Sequence, residues 1–599
     1  MQAFGTIGTG GAAYSGIAED HVLFTERKQL KDRALWHKFA SVFGAGADDA
    51  DRGWRSEYWG KMMRGACLVY RLTADEELYG ILTETVRELL QKQEKDGRIS
   101  SYSPETELTG WDIWGRKYVL TGLLHYRGIC RDEALKAEIL RAACRHADAL
   151  VRRVGKGEGQ APITRTSDFW GGLNSCSVCE PIVELYKLTG EKRYLAFAEY
   201  ILSTGGCEDG DLLALAEEDK LFPYQYPVTK AYEMMSFFEG ALAYSEATGK
   251  TQYFETVKKF VEKVYESDIT VIGCAGCTHE LFDHSAAKQT EPPEIHMQET
   301  CVTVTWIRLL SRLLLLTGDM RYADRIEISA RNALFGSVNT HDCPIYSPCN
   351  KKWMYGFPFD SYSPLYNDRR GREVGGGREF ADGSFYGCCV SIAAAGIALF
   401  PLLNVLRAEN GIAEIFYLDG TARITTPGGQ TAALACSGNA VKTGRARIAV
   451  SLPQKEKFSL LLHIPAWSKT ARIVCGGEEY TAETGVFRLE RDWQTGDSVE
   501  IYFDMQLREM RLNGKTALLR GPLVLARDEQ KEAGDITAEL CPLRDNGSIA
   551  CEVLPEEKGE QLRVRIPCRD GDHILTDYAS CGKNWNEPHC NITAWLNIK

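Results

Sequence analysis

A short phrase that returns along the chain decides the fold: VELYKLTG at residues 183–190. In this phrase an apolar helical run ends in Thr-Gly, and a second helix then begins with RYL at 193–195. The phrase returns as ALAYSEATG at 241–249 and as LLLLTG at 313–318, so the Thr-Gly ends lie 59 and 69 residues apart. Glycine is favoured there because it tolerates the positive φ of a helix C-terminus. A repeat of this period predicts stacked helix pairs.

About six such pairs fit between residues 30 and 405, and six pairs can close into an (α/α)6 barrel. An open solenoid is the alternative arrangement. The inserts between the pairs are variable and rich in Trp and Gly. They resemble loops that line a cavity more than regular repeat turns, which favours the barrel.

After about residue 410 the pattern changes to short runs with period-two alternation, such as FSLLLHI at 458–464. Closely spaced alternating runs, punctuated by Gly, Asp and Pro, are typical of a β-sandwich. We therefore predict a multidomain α + β protein with three parts. An (α/α)6-barrel catalytic domain covers 1–408, with its first ~25 residues packing on the β region; a β-sandwich covers 409–530; a β extension or second sandwich covers 531–599.

Composition excludes several classes of partner. The 599 residues carry a net charge of -12, with 44% hydrophobic and 25% charged residues. We expect no nucleic-acid partner and no membrane partner, because there is no basic run or basic amphipathic face. The N-terminus shows no pattern of a signal peptide, so we expect a cytoplasmic protein whose twenty cysteines are mostly thiols. Oligomeric state is left open, a homodimer included.

The densest group of metal-competent residues lies at the end of the helical region. Glu299 and Cys301 stand just before a helical run, and Cys388 and Cys389 follow a Gly-rich, charged loop. Three thiolates and one carboxylate are sufficient ligands for a tetrahedral zinc ion. Zinc would also keep the thiols deprotonated, and the thiolate is the nucleophilic form. The alternative is that Cys388 and Cys389 are small buried hydrophobic residues.

Two other cysteine pairs compete for a metal role. Cys176 and Cys179 stand at a predicted helix start, and Cys274 and Cys277 stand in a predicted loop. Neither pair carries the Gly- or Lys-rich turn of a zinc ribbon. We interpret the first pair as buried and leave the second pair open.

A carboxylate suited to acid/base chemistry is Glu280, which lies beside Leu281 and Phe282. A general acid needs a raised pKa, which partial burial provides. Glu291 and Glu294 lie nearby, but the prolines between them indicate a solvated turn. An isolated Glu is otherwise an ordinary surface residue.

The loops between helix pairs carry aromatic residues suited to a sugar cleft. Trp114, Trp170 and Tyr226 stand in three such loops, the last shortly before KAYE at 230–233. Sugar rings stack on aromatic faces, although packing at the barrel rim would give the same pattern. The chain has neither a P-loop nor a GxGxxG after a strand, so we expect no nucleotide cofactor.

These residues resemble glycoside hydrolase family 127, whose founding activity is β-L-arabinofuranosidase. The resemblance covers nearly the whole chain. Its specific part is the combination of Glu299-Thr300-Cys301 with Cys388-Cys389; phrases such as HIPAW at 463–467 and GPLV at 521–524 are shared more widely.

The resemblance implies a retaining glycoside hydrolase that depends on zinc. It implies that Glu299, Cys301, Cys388 and Cys389 bind the zinc ion, that Cys388 is the nucleophile, and that Glu280 is the acid/base. It also implies a double displacement with sulfur in place of the usual carboxylate.

The chain departs from the arabinofuranosidase members of that family, which carry sugar-binding histidines in three repeats. The corresponding positions here read Arg116-Lys117, the stretch 175–177, and Lys230-Ala231. This resembles a different branch of the family. We expect Arg116, Lys117 and Lys230 to face the cleft together with the aromatic residues.

Cations in the cleft would suit a sugar that carries a carboxylate. The hypothesis is therefore a β-L-arabinofuranoside-like or related, acidic substrate. The alternative is that Lys117 and Lys230 pair with protein acids such as Asp112 or Glu233.

Two further functions compete with a glycosidase. One is a sugar epimerase or lyase on the same barrel, which would use His or Tyr as base; the 11 histidines form no obvious cluster. The other is a carbohydrate-binding protein with a structural zinc ion. For a cytoplasmic glycosidase we expect oligosaccharides, and not intact polymers, as substrates.

Overall fold

Within the residues described by this computed structural model (3–292, 298–347, 351–532, 534–555 and 557–599), six mostly buried helices form an inner ring. The inner helices are Glu57–Thr73, Asp112–Ile129, Cys179–Thr189, Ala231–Thr248, Thr300–Thr317 and Cys388–Leu402. Each packs on the next, and the last packs on the first, so the ring closes. This confirms the predicted (α/α)6 barrel.

An outer layer of helices, most of them amphipathic, covers this ring. These helices are Ile17–Thr25, Glu76–Gln91, Glu133–Arg153, Lys192–Leu202, Thr251–Ser267 and Met320–Ser329. Shorter helical segments are Glu26–Leu30, Arg33–Ser41, Ile163–Arg165, Trp170–Gly172, Leu173–Cys176, Leu212–Glu218, Pro223–Gln225, Ser285–Lys288, Ala330–Leu334, Phe335–Ser337, Ala440–Thr443 and Tyr578–Ser580.

The Thr-Gly ends are helix C-terminal turns, as predicted. Gly190, Gly249 and Gly318 have φ values of 71, 73 and 72°. Each donates its N–H to the carbonyl four residues earlier, at 2.7 to 2.8 Å. A residue that tolerates positive φ closes a helix in this way at little cost, so glycine separates each of these three inner helices from its outer partner.

Thr300–Thr317 is also long and apolar enough to cross a membrane by length and composition. In the barrel, 78% of that stretch is buried inside the protein. Its apolar character on all sides follows from its place in the inner ring, where it contacts other helices around most of its circumference.

Two sheets packed as a sandwich follow the barrel. Among the described residues, the first sheet has the strand order Phe4–Thr6, Val405–Ala408, Gly411–Glu414, Glu456–Ile464 and Gly485–Trp493. The second has the order Glu478–Glu483, Thr470–Cys475, Ser498–Phe503, Arg445–Ser451, Thr431–Ser437, Gly420–Thr425 and Ala12–Tyr14. The chain therefore begins in the sandwich before it enters the barrel.

A third sheet forms the C-terminal part. Its order is Leu507–Leu512, Lys515–Arg520, Leu523–Asp528, Gly571–Asp577, Arg563–Cys568 and Glu552–Leu554, with Ile592–Thr593 on Leu523–Asp528. It encloses a second core, separate from the one shared by barrel and sandwich. The sandwich strand Ser498–Phe503 ends and this sheet begins, at Leu507, before the predicted boundary at 530.

Four two-stranded ribbons complete the described strands. They are Gly206–Cys207 with Gly210–Asp211, Ile345–Ser347 with Lys352–Met354, Gly377–Glu379 with Phe385–Gly387, and Arg544–Asp545 with Ser548–Ile549. The third ribbon leads directly into the last inner helix, Cys388–Leu402.

Candidate active site

A cavity of about 520 Å³ opens at the end of the barrel where the inner helices begin. Its lining includes Glu57, Trp114, Lys230, Glu299 and Cys388, which stand at or beside the first turns of five inner helices. The loops before those helices supply the rest of the wall. The barrel therefore brings together residues that are hundreds of positions apart in the chain.

The predicted metal-binding residues form one buried cluster. The donor atoms of Glu299, Cys301, Cys388 and Cys389 all lie within 4.8 Å of one another. The Sγ atoms of Cys301 and Cys388 are 3.4 Å apart, and those of Cys388 and Cys389 are 3.8 Å apart. Sulfur atoms bound to one tetrahedral zinc, each at about 2.3 Å, would be about 3.8 Å apart. The cluster therefore already has nearly the spacing of a metal site.

The chemistry of the donors also fits a metal ion. Glu299 Oε1 accepts a hydrogen bond from Cys389 Sγ at 3.3 Å, whereas Glu299 Oε2 is buried with no hydrogen-bond partner. A buried carboxylate oxygen without a partner is unfavourable, and a bound cation would satisfy it. Soft thiolates with one carboxylate suit zinc.

A glycine loop encloses Cys388. The ribbon Gly377–Glu379 with Phe385–Gly387 folds back over the helix start, so that Cys388 N–H donates to the carbonyls of Gly375 and Gly376. Gly376 has φ 53°, and a Cβ atom there would stand 2.2 Å from Cys388 Sγ. Only glycine allows this close approach.

Electrostatics favour the thiolate at Cys388. Hydrogen bonds from the neighbouring Cys301 and Cys389 thiols, and then the charges of Lys61 and Lys230, lower the pKa of Cys388 well below its ordinary value. Cys388 is also the first residue of an inner helix, where the helix dipole stabilises negative charge. Burial raises the pKa values of the Cys301 and Cys389 thiols well above the ordinary value of a cysteine. Within this cluster, Cys388 is thus the thiol that ionises first.

Glu280 also lines the cavity and is held by two partners. Tyr362 donates its hydroxyl to Glu280 Oε1 at 2.6 Å, and the Lys230 ammonium pairs with Oε2. His279 and Glu280 have φ values of 48 and 62°. Two successive non-glycine residues in the left-handed region are strained, so the surrounding structure must hold them in this conformation. Backbone strain of this kind is common at functional sites.

Aromatic rings form one wall of the cavity and its mouth. Trp111 packs against Trp54, Trp114 and Phe169 with ring centroids 5.3 to 5.7 Å apart. Trp170 is 38% exposed at the mouth, with Phe169 beside it. The predicted positions Trp114 and Trp170 therefore do line the cavity.

Sequence reasoning missed a buried ion pair at the base of the cavity. Lys61 Nζ lies 2.9 Å from Glu57 Oε1 and 3.9 Å from Cys301 Sγ, and both side chains are almost fully buried. Glu57 also accepts a hydrogen bond from Trp114 Nε1. Burial raises the pKa of Glu57 to about 7. The available signal was two charged residues one turn apart within an apolar inner helix, in SEYWGKMM at 56–63.

Other missed residues belong to loops. Tyr362, Glu373 and Arg378 line the cavity, together with Glu233 at the start of an inner helix. Burial, followed by the charge of Glu280, raises the pKa of Glu373 to about 7. Tyr362, Glu373 and Arg378 come from a long irregular segment, which offers no local pattern from which to place them.

Three predicted substrate-binding residues do not reach the cavity, which corrects the sequence analysis. Arg116 pairs with Glu107 and Asp112 in a buried network on the outer side of its helix. Tyr226 is buried, and its hydroxyl has no hydrogen-bond partner. Neither residue lines the cavity, so a substrate contact is not supported for either.

Lys117 is the third of these residues. Its ammonium lies beneath the wall, 4.4 Å from the ring centroid of Trp114, and has no hydrogen-bond partner. Burial lowers the pKa of Lys117 to about 7. It therefore offers neither the position nor the full charge that the acidic-sugar hypothesis requires.

Lys230 does line the cavity, but it pairs with Glu280. The alternative named from the sequence, that the lysine pairs with a protein acid, is the one found, although the partner is neither Asp112 nor Glu233. Among the described lining residues, five carboxylates stand against three cations. None of the three cations on which the acidic-sugar hypothesis relied therefore both lines the cavity and lacks a carboxylate partner.

The other two cysteine pairs take no part in the cluster. Cys176 and Cys179 are buried between helices, as interpreted from the sequence. Cys274 Sγ lies 3.4 Å from the Glu299 carbonyl, and Cys277 Sγ lies 3.5 Å from Gln298 Nε2. The second pair therefore packs behind the segment that carries Glu299.

Comparisons with known proteins agree with this architecture. The family model described as β-L-arabinofuranosidase, GH127 catalytic domain, matches residues 21–394, and the GH127 middle-domain model matches 412–505. A curated protein of Bifidobacterium longum, named non-reducing end β-L-arabinofuranosidase, is 21% identical over 528 residues. That match covers 80% of this chain and 76% of the relative.

Solved structures show the same fold along the whole chain. A GH127 β-L-arabinofuranosidase from Geobacillus stearothermophilus T6 superposes with a TM-score of 0.72 at 17% identity, over 98% of this chain and 100% of the other. A further GH127 β-arabinofuranosidase has a TM-score of 0.72 at 17% identity, over 100% of this chain and 98% of the other.

Proposed function

Because the chain belongs to glycoside hydrolase family 127, we propose that this glycoside hydrolase is a retaining exo-glycosidase whose nucleophile is Cys388. The observation that carries the proposal is the position of that thiol. Among the cysteines of the described residues, Cys388 is the one that lines the cavity, whereas Cys301 and Cys389 lie behind it. A thiolate that reaches the substrate space can form a covalent intermediate.

We propose zinc as the metal of the cluster. Glu299, Cys301, Cys388 and Cys389 would hold it, as the spacing of their donor atoms and the unpartnered Glu299 Oε2 support. When bound, zinc keeps the thiols deprotonated and moderates the basicity of the Cys388 sulfur as nucleophile and leaving group.

In the first step, Cys388 Sγ attacks the anomeric carbon, and the bond from that carbon to the leaving oxygen breaks. The Glu280 carboxyl gives its proton to the departing oxygen. Tyr362 and Lys230 hold Glu280 through its two oxygens, which orients the carboxyl group for the transfer. The sugar is then bound to sulfur with inverted configuration.

In the second step, the Glu280 carboxylate takes a proton from a water molecule. The water oxygen attacks the anomeric carbon, the carbon–sulfur bond breaks, and the Cys388 thiolate returns. Two inversions give net retention. The exchange of roles at Glu280 follows from microscopic reversibility.

We propose a neutral, β-L-arabinofuranose-like sugar as the residue removed. The relatives named above are β-L-arabinofuranosidases, and the lysines of this cavity are paired with protein carboxylates. The exposed rings of Phe169 and Trp170 at the mouth suit stacking of the next sugar of an oligosaccharide.

We further propose that the enzyme works in a reducing compartment such as the cytoplasm. The proposed chemistry needs a reduced thiolate at Cys388, and three thiols within one cluster are susceptible to oxidation. Fractionation of the native host, with detection of the enzyme in the soluble cytoplasmic or the exported fraction, tests this directly.

Turnover of 4-nitrophenyl β-L-arabinofuranoside, with NMR detection of the first anomer released, tests the function. Cys388→Ala should abolish turnover, and Glu280→Gln should reduce it about 10²–10⁴-fold. Cys176→Ala, which removes a buried thiol outside the cluster, should leave it unchanged. An inverted first product would contradict the retaining mechanism, and an epimerised or unsaturated product would indicate an epimerase or a lyase. Sugar binding without turnover would indicate a binding protein.

A further inference from the structure

A hairpin of the C-terminal sheet carries a second cluster of metal-competent side chains. The strands Arg563–Cys568 and Gly571–Asp577 pair with Cys568 opposite Gly571 and Ile566 opposite His573. Because paired residues share a face and alternate residues return to it, Cys568 and His573 project from the same face. Asp570 lies in the two-residue turn between the strands. The donor atoms of Cys568, Asp570 and His573 lie within 4.8 Å of one another.

The environment of His573 sets which ring nitrogen faces the cluster. Nδ1 hydrogen-bonds to Glu532 Oε1, and Nε2 lies 3.6 Å from Asp570 Oδ2. Glu532 is in turn held by two hydrogen bonds from Arg527, at 2.7 and 2.8 Å. A neutral imidazole that donates from Nδ1 to a carboxylate keeps its Nε2 lone pair free. This carboxylate–histidine arrangement is typical behind metal-binding histidines.

We propose that Cys568, Asp570 and His573 bind a zinc ion, with water as the fourth ligand. One thiolate, one carboxylate and one imidazole are ordinary zinc ligands and together balance its charge. Two ligands bound at about 2.0–2.1 Å in a tetrahedron lie about 3.4 Å apart, close to the 3.6 Å between Nε2 and Oδ2. The Asp570 side chain is 57% exposed, so an ion can enter from solvent.

The competing arrangement is a simple ion pair, in which a protonated His573 bridges Glu532 and Asp570. That arrangement makes no use of Cys568. A buried thiol within 4.8 Å of both the Asp570 carboxylate and the His573 ring is therefore the feature that favours a metal ion.

This site is independent of the proposed active site. Cys568 belongs to the separate C-terminal core. We expect the ion to link the two strands at the tip of the hairpin, and so to stabilise the C-terminal domain without a part in catalysis.

Metal content of the purified full-length protein tests the proposal. After dialysis against zinc and removal of free ion, wild type should hold two equivalents by mass spectrometry of the metal. Asp570→Asn and Cys568→Ala should each hold one equivalent and keep wild-type turnover. Asp572→Asn is the matched control, because Asp572 lies two residues from Asp570 but pairs with Arg565. This variant should hold two equivalents of zinc, like wild type.

A second variant separates this site from the active-site cluster. Glu299→Gln should lose the other equivalent, so failure of either proposal leaves the other measurable. Glu532→Gln, which alters the positioning residue behind His573, should weaken zinc binding at the hairpin roughly 10–100-fold in a chelator competition. If wild type and Cys568→Ala hold the same amount of zinc, the proposal is overturned. His573 is then an ion-pair residue only.

Discussion

Gly376 lies directly against Cys388: a methyl group in place of its hydrogen would stand 2.2 Å from the Sγ atom. The Gly376 carbonyl also accepts hydrogen bonds from Trp54 Nε1 at 2.7 Å and from the Tyr58 hydroxyl at 2.9 Å. The loop therefore cannot withdraw without loss of these bonds. The proposed nucleophile is held in place by a residue that has no side chain.

Gly376→Ala tests this contact. Alanine would be strained at φ 53° and would displace the Cys388 sulfur, and a misplacement of about 1 Å costs roughly 10²-fold in rate. We expect kcat/KM to fall by about that factor. Gly383→Ala is the matched control, because Gly383 also has positive φ (75°) but a Cβ there would make only an ordinary contact, 3.9 Å from Glu379 Oε1. Equal effects of the two substitutions on kcat/KM would mean that backbone strain alone matters.

Lys61→Met tests the cation beside the cluster. Breaking a buried ion pair leaves Glu57 with an uncompensated charge and costs about 3–5 kcal/mol. We expect lower thermal stability and lower turnover. Addition of Glu57→Gln should restore much of the stability, because it removes the orphan carboxylate, but not the turnover, because the cluster still lacks the Lys61 ammonium beside it. Recovery of both quantities in the double variant would show that Lys61 has only a structural role.

Lys117→Met tests the correction to the substrate hypothesis. The pKa of Lys117 falls from 10.5 to about 7 on folding, so the unfolded chain binds more protons between those values. Wild-type stability should therefore rise as pH increases from about 7 to about 10.5, and the ammonium destabilises the fold most at pH 7 and below.

The methionine variant should thus be more stable than wild type at pH 6, with the difference shrinking toward pH 10. Urea unfolding at the two pH values measures this. Because Lys117 does not line the cavity, kcat/KM on a neutral arabinofuranoside should stay within about twofold. A variant that is less stable than wild type at pH 6 would contradict the account of Lys117.

Metal removal tests the cluster. Without an ion, burial raises the pKa values of Glu299, Cys301 and Cys389 well above their ordinary values, so these groups hold protons and the fold tolerates the apo state. Chelation should therefore remove activity while a folded protein of lower Tm remains, and zinc should restore both. Full turnover in protein verified to be metal-free would exclude a catalytic role for the ion.

Local features of the fold were predictable from the sequence, and long-range ones were not. The Thr-Gly helix ends follow from the conformational freedom of one residue, so their positions could be read directly. Closure of the ring depends on contacts between Glu57–Thr73 and Cys388–Leu402, which no local pattern contains. The cavity charges of Glu57 and Lys61 were missed because charged residues one turn apart usually indicate a solvated helix face.

The geometry of a helix explains which site residues were predicted correctly. Trp114 and Arg116 are neighbours in the sequence, but two residues along a helix are about 200° apart around its axis. The first therefore faces the cavity, and the second points to the opposite side, where it meets Glu107 and Asp112. Lys117 is almost one turn below Trp114, on the same side but deeper in the barrel. Adjacency in the sequence does not give a shared face.

The most direct test of the account is to trap the covalent intermediate. In Glu280→Gln, a 2,4-dinitrophenyl β-L-arabinofuranoside needs no acid to depart, but water lacks the base that would release the sugar from sulfur. Peptide mass spectrometry should then find a mass increase of one anhydropentose on the peptide that contains Cys388, and none when Cys388→Ala is added. Turnover of this substrate with no adduct, or an adduct on a carboxylate such as Glu373, would contradict Cys388 as the nucleophile.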